Sequence, residues 1–182
     1  MVSRIVSLVF ILIYKMHGVH VQGNHSLESS VGVLIHRDTK KVILTREARG
    51  DDKGKWGLPG GTINQGLTAY ESLKKEIKEE IGIDSNQYFS EVTSEFPDYA
   101  VCGSCVYFFR FLNETPNVKF NDGEIDMATW IPISTLISGE NAIVNSLRGE
   151  KLRPCFEKCL SNDVIKRAFV GEHASNFKIF IF

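Results

Sequence analysis

Between Thr68 and Ile81 apolar residues recur at every fourth position, Ala69, Leu73, Ile77 and Ile81, and Gly82 follows. That spacing predicts a helix over 68–81 with one stripe turned to a core. A glycine just past the stripe is a usual terminator, because it takes up left-handed backbone without a Cβ clash. One amphipathic helix cannot bury its stripe alone and needs a sheet or other helices to cover. The chain supplies strands on both sides. Residues 31–36 and 41–46 read as two β-runs joined by the polar turn Arg37-Asp38-Thr39-Lys40, a hairpin pattern. Further β-runs lie at 88–95, 100–112 and 127–131. From 133 to about 166 the pattern is mainly helical, with a closing strand at 177–182. Strands interleaved with helices predict an α/β fold, a sheet covered by helices on both faces, and the hairpin start makes that sheet mixed.

The chain has 182 residues, 43% of them hydrophobic, which suits one core at a prior of roughly 150 residues per domain. With 21 basic and 22 acidic residues the net charge is −1. No strongly basic field therefore draws nucleic acid to the whole chain, which leaves room only for a local basic cleft. Arg4 precedes the apolar run 5–14, and Val21-Gln22-Gly23 follows with small residues, the pattern of a cleaved signal peptide over 1–23 before a domain at 24–182. The run ends at Lys15, short of the roughly 20 apolar residues of a membrane span, so no stable membrane association is expected. The resulting expectation is secretion; translation from Met16 is the alternative and would leave the protein cytoplasmic. The sequons Asn24-His25-Ser26 and Asn113-Glu114-Thr115 fit a secretory route. Cys102, Cys105, Cys155 and Cys159 leave three readings open: two disulfides, a zinc site, or small core residues. Residues three apart in a strand point to opposite faces, so Cys102 and Cys105 share a metal only if a turn at Gly103-Ser104 breaks the run.

The chemistry concentrates on the helix. Glu76, Glu79 and Glu80 stand at spacings of three and four. At about 100° per residue they fall within roughly a 100° arc beside the stripe of Leu73 and Ile77. Glu71, Lys74, Lys75 and Lys78 take the outer face. A like-charge pair at this spacing costs only about 0.2–0.5 kcal/mol, so energy alone allows an ordinary solvated face. Segregation argues further, since acids set apart from available lysines suit a hard cation such as Mg²⁺, which takes oxygen ligands. Ahead of the helix, the polar stretch Gly50-Asp51-Asp52-Lys53-Gly54-Lys55 leads into Trp56-Gly57-Leu58-Pro59-Gly60-Gly61, three glycines and a proline around one large aromatic.

Residues 61–83 resemble the Nudix box: Gly61 matches, as does Glu76-Ile77-Lys78-Glu79-Glu80-Ile81-Gly82-Ile83, and 56–61 is similar to the approach segment of many members. Two positions depart, Leu67 for the first glutamate and Lys75 for the arginine, whose alternative partner is Glu71 one turn earlier. Glu124, six residues before Trp130, resembles a later acid of the family that binds metal or acts as base, with Asp126 as a rival and an exposed loop acid as the plain alternative. The resemblance covers most of 30–136 and implies the Nudix α/β/α sandwich. It also implies that Glu76, Glu79 and Glu80, with the Gly60 carbonyl, hold Mg²⁺ or Mn²⁺. Glu79, Glu80 or Glu124 would then take the proton of the attacking water. Arg46, Lys53 and Lys55 are candidate phosphate contacts, and Trp56 either stacks on a base or belongs to the core. The implied activity is hydrolysis of a diphosphate linkage. Its substrate would be a phosphorylated small molecule or capped RNA, with ADP-ribose, dinucleoside polyphosphates and diphosphoinositol polyphosphates among the options. An exported member would need a target elsewhere, hence the expectation of an effector delivered into a host cell. The competing readings are a Nudix-fold binding module weakened through Leu67 and Lys75, and a secreted cysteine-stabilised interaction domain. Oligomeric state is not legible.

Overall fold

The computed structural model describes residues 28–36, 38–84, 87, 89–90, 99–101, 104–111, 118–120 and 123–162. β1 (Ser29–His36) and β2 (Lys41–Glu47) form the expected antiparallel hairpin, with Ile35 opposite Val42 and His36 opposite Lys41. Val33, Leu34 and Ile35 on β1, and Val42, Ile43 and Leu44 on β2, are all buried. Neighbouring side chains in a strand point to opposite faces, so runs buried throughout require cover on both sides. Leu34 and Ile43 pack with Leu73, Ile77 and Ile81 of α1 (Ala69–Ile81). Val33, Ile35, Val42 and Leu44 pack with residues of three short helices, α2 (Ile133–Ile137), α3 (Glu140–Ser146) and α4 (Pro154–Ser161). The architecture is the expected α/β/α sandwich.

The hairpin strands part beyond their turn, and the chain from Trp56 to Thr62 enters the wedge between them. β3 (Trp56–Gly57) pairs with β2, β4 (Gly60–Thr62) pairs with β1, and Gly32 N–H donates to Pro59 carbonyl at 2.9 Å. On their outer edges β1 runs parallel to β7 (Ser104–Phe111) and β2 antiparallel to β8 (Ile125–Pro132), so the sheet is mixed. β5 (Phe89–Ser90) and β6 (Tyr99–Val101) both pair with β7. The run expected as one strand over 100–112 is thus two strands, with Val101 opposite Ser104. The break falls at Gly103-Ser104, the turn on which the reading of Cys102 and Cys105 depends. Of the run 88–95, only Phe89–Ser90 lies within a described strand.

α1 begins where the spacing predicts. Thr68 accepts from the Glu71 N–H while the Glu71 carboxylate accepts from the Thr68 N–H, a reciprocal cap. Gly82 closes the helix with φ 70°. The leader, Asn24, Asn113, Cys102 and 177–182 lie outside the described residues. Cys155 and Cys159 carry free thiols, and no described helix is long and apolar enough to cross a membrane.

Gly60 is the tightest point of the wedge. Its φ is 132°, and a Cβ there would lie 2.2 Å from the Ser30 carbonyl oxygen. Gly60→Ala is expected to lower stability by about 2–4 kcal/mol, combining backbone strain and collision. Urea unfolding measures it; a change below about 0.5 kcal/mol, as at an indifferent surface position, would refute the tight fit.

Candidate active site

Two acids of α1 turn toward the wedge. Glu80, one position before the helix's last residue, is 2% exposed and accepts from Gly60 N–H at 3.0 Å. Glu76, one turn earlier, accepts from Asn64 Nδ2 at 3.0 Å, and the Asn64 N–H donates to Ser72 Oγ on the same helix at 3.0 Å. A Cβ at Gly61 would lie 3.2 Å from a Glu76 carboxylate oxygen, so the glycine pair lets α1 approach β4 closely. Helix and glycine strand are therefore tied at two successive turns.

Burial pushes the Glu80 carboxyl up to about 8; the Gly60 N–H and the charge of Arg153 pull it down, and Glu47 and Glu76 push it further up. The acids bearing on Glu80 are thus Glu76 and Glu47, the last residue of β2. Glu79 lies outside, exposed and ion-paired with Lys75 at 3.0 Å. This corrects the helix reading in two places: Lys75 lies beside an acid of the cluster and not opposite it, and its partner is Glu79, because Glu71 is engaged in the cap. Backbone and side-chain hydrogen bonds from Thr68 accordingly lower the Glu71 pKa. Leu67, 40% exposed, supports none of the acids.

Arg153 was not singled out from the sequence, and neither were Glu47 and Asn64. Arg153 Nη1 donates to Glu47 at 2.5 Å and Nη2 donates to the Leu58 carbonyl. A Cβ at Gly57 would sit 2.1 Å from Arg153 Nε. A cavity of about 210 Å³ adjoins this arrangement, lined by Ser29, Gly60, Gly61, Ser104, Arg153 and Cys155 among others. Ser104 Oγ lies 2.5 Å from Ser29 Oγ and 3.4 Å from Cys155 Sγ. Contact with Cys159 is the main cause holding the Cys155 thiol down at about 6.

The remaining candidates lie apart from the glycine pair. Arg46 is held by Asp126 at 2.8 and 3.1 Å and by Glu150 at 2.9 Å, with its guanidinium 5.9 Å from the Trp56 ring centre. Trp56 is 2% exposed and its Nε1 donates to Glu150, so of its two readings the structure places it in the core. Lys55 pairs with Asp52 at 2.7 Å, and Lys53 is exposed in the 50–55 turn. Glu124 pairs with Arg49, and its carbonyl accepts from Ala48 N–H. The register sets Ile125 opposite Glu47, which brings Glu124 to the same strand end as Glu47.

Among the described residues no three acidic, histidine or cysteine side chains converge closely enough to hold an ion. The donors present nevertheless suit a hard divalent cation. They are carboxylate oxygens, and a buried carboxyl beside two further acids is a place where a cation offsets like-charge repulsion. Glu79 is withheld only by an exposed pair at helical spacing, worth about 0.3–0.5 kcal/mol.

A family model described as NUDIX domain matches residues 26–148. The chain belongs to the Nudix family. Nudix hydrolase 6 of Arabidopsis thaliana is 28% identical over 130 residues, covering 63% of this chain and 42% of the relative. The RNA pyrophosphohydrolase of Ruthia magnifica subsp. Calyptogena magnifica is 26% identical over 143 residues, 65% of this chain and 78% of the relative. The chain spans about half the length of the Arabidopsis Nudix relatives it matches. Among solved structures, a C. elegans Ap4A hydrolase superposes with a TM-score of 0.56 at 12% identity, over 79% of this chain and 96% of that one. A MutT protein from Methanosarcina mazei Go1 gives 0.52 at 18% identity, over 84% and 99%. These likenesses establish the Nudix fold; Arg153 lies beyond the residues the family model matches.

The Glu80 carboxyl yields a pH test. In the unfolded chain it loses its proton near its ordinary 4.5, whereas the fold retains it to about 8. Between those values the folded state binds the extra proton, so stability falls as pH rises, by up to about 1.4 kcal/mol per unit. Thermal unfolding without metal is expected to show this fall between pH 5 and 8, with Glu80→Gln nearly flat over the same range. Parallel curves for the two proteins would show that Glu80 carries no such burden.

Proposed function

We propose that the chain is a divalent-cation-dependent hydrolase that splits a diphosphate linkage in a nucleoside diphosphate derivative. The observation that carries the reading is the pair of helix acids, Glu80 on Gly60 and Glu76 on Asn64, fixed beside the same two glycines. Glu76 and Glu80 would hold Mg²⁺ or Mn²⁺, with Glu79 joining once it leaves Lys75. When bound, the metal would shield phosphate oxygens and lower the pKa of a coordinated water. Gly60 fixes the orientation of Glu80 through its N–H. The cavity beside Gly60 and Gly61 is smaller than the roughly 300–1,000 Å³ of a pocket for a whole drug-sized ligand, which suits one ring of the substrate. Ser29, Ser104 and Arg153 supply polar groups there, and Val31, Leu58 and Phe156 supply apolar walls. A nucleoside end is favoured over an inositol phosphate, which would call for several cations around it. The names of similar proteins, an RNA pyrophosphohydrolase and an 8-oxo-dGTP diphosphatase of Proteus vulgaris, point the same way.

The test is incubation with capped RNA, ADP-ribose, dinucleoside polyphosphates, nucleoside triphosphates and diphosphoinositol polyphosphates, with and without Mg²⁺ or Mn²⁺, reading product identity. Cation-dependent cleavage of a nucleoside compound is expected, reduced about a hundredfold or more by Glu80→Gln. Binding without cleavage anywhere in the panel would instead support a binding module. Leu67→Glu with Lys75→Arg separates these readings further. Both positions are exposed, and exposed ion pairs contribute about 0.2–1 kcal/mol, so turnover is expected to change by less than about fivefold. A large gain would mark the natural site as degenerate.

A further inference from the structure

We propose that Arg153 is a positioning residue for the acidic site, clamping the glycine loop against β2 so that Gly60 presents its N–H to Glu80. The proposal rests on the reading of Glu76 and Glu80 as cation ligands.

The backbone delivers Arg153 to this place. Trp56 N–H donates to the Lys151 carbonyl at 2.9 Å and Arg153 N–H to the Trp56 carbonyl at 2.7 Å, with Trp56 and Leu152 bridged in parallel. Residues 151–153 thus run beside β3 and release the Arg153 side chain across Gly57, where the missing Cβ leaves room for it. Its two ends divide their work: Nη1 takes Glu47 at the end of β2, and Nη2 takes the carbonyl of Leu58, two residues before Gly60. A planar guanidinium satisfies a carboxylate and a carbonyl at fixed angles to one another, which an ammonium does not.

The arrangement is a poor device for stability alone. The Arg153 and Glu47 side chains are 14% and 17% exposed, and pairs taken this far from water are often no better than apolar groups of the same volume. What the pair does provide is a defined place for the Leu58 carbonyl, and a positive charge bearing on Glu80 from outside α1. Lys75, the cation at the family's arginine position, is occupied with exposed Glu79.

The experiment uses the full chain and Mn²⁺ alone, counting free ion by electron paramagnetic resonance, with circular dichroism as a check on folding. Arg153→Gln is expected to weaken Mn²⁺ binding about tenfold or more, the usual cost of losing a group that orients metal ligands. Arg153→Lys is expected to restore little of it, and supplies the readout should Arg153→Gln fail to fold. Unchanged or tighter binding in these variants would overturn the proposal, as would full rescue by lysine, which would reduce the role to charge alone. The double variant Glu47→Gln with Arg153→Gln should stay as weak as Arg153→Gln; recovery would show that Arg153 merely neutralises Glu47 and would overturn the clamp. A wild-type chain that binds no Mn²⁺ would remove the reading of the site, and the clamp with it.

Discussion

The hydrogen bond from Gly60 to Glu80 joins the layers of the molecule where they come closest. Gly60 belongs to a strand paired with β1, and Glu80 belongs to the helix that covers one face of that sheet. The contact exists because β1 and β2 part beyond their turn and admit the chain between them, and because nothing larger than a hydrogen fits at position 60. Pro59, just before it, accepts from Gly32 and closes the same seam. The site is therefore built on the irregularity of the sheet, with regular pairing on either side to hold it in place.

Around that bond the structure assembles charge that a folded interior ordinarily avoids. Glu47 and Glu76 both bear on the buried Glu80, and the charge of Arg153 opposes them. Burial of an unpaired carboxylate is costly, and the chain meets that cost locally, with one N–H for Glu80, an asparagine amide for Glu76 and a guanidinium for Glu47. Gly60 and Asn64 come from the stretch before α1, and Arg153 from far along the chain. Acids gathered in this way around a buried carboxyl cost stability, a pattern that clusters at functional sites.

The features legible in the sequence were those whose signals are local. Helix 69–81 announces itself by its period and by Gly82, and the first hairpin by two apolar runs around a polar turn. The box spacing singles out Glu76, Glu79 and Glu80 together, since helical geometry puts all three beside the apolar stripe. Glu79 shares the same arc but lies on its exposed side, and spacing does not grade burial that finely. The reversal between Val101 and Ser104 falls at Gly103-Ser104, a turn signal outweighed by the apolar residues on either side of it. Glu47 and Arg153 were out of reach for another reason: they are 106 positions apart and meet only through the pairing of 151–153 with Trp56. Asn64 gave only a weak sign, a turn-forming residue three places past Gly61.

The passage of Arg153 across Gly57 has a consequence for how such a chain can change over generations. A side chain at 57 would occupy the space the guanidinium now fills, so that glycine is constrained by a residue from the opposite end of the domain. The two positions are coupled by the space they share. A replacement at 57 would have to displace the guanidinium, and a chain without the arginine would lift that constraint from the glycine. A glycine with no side chain of its own thereby marks where residues 151–153 reach across the sheet to the site.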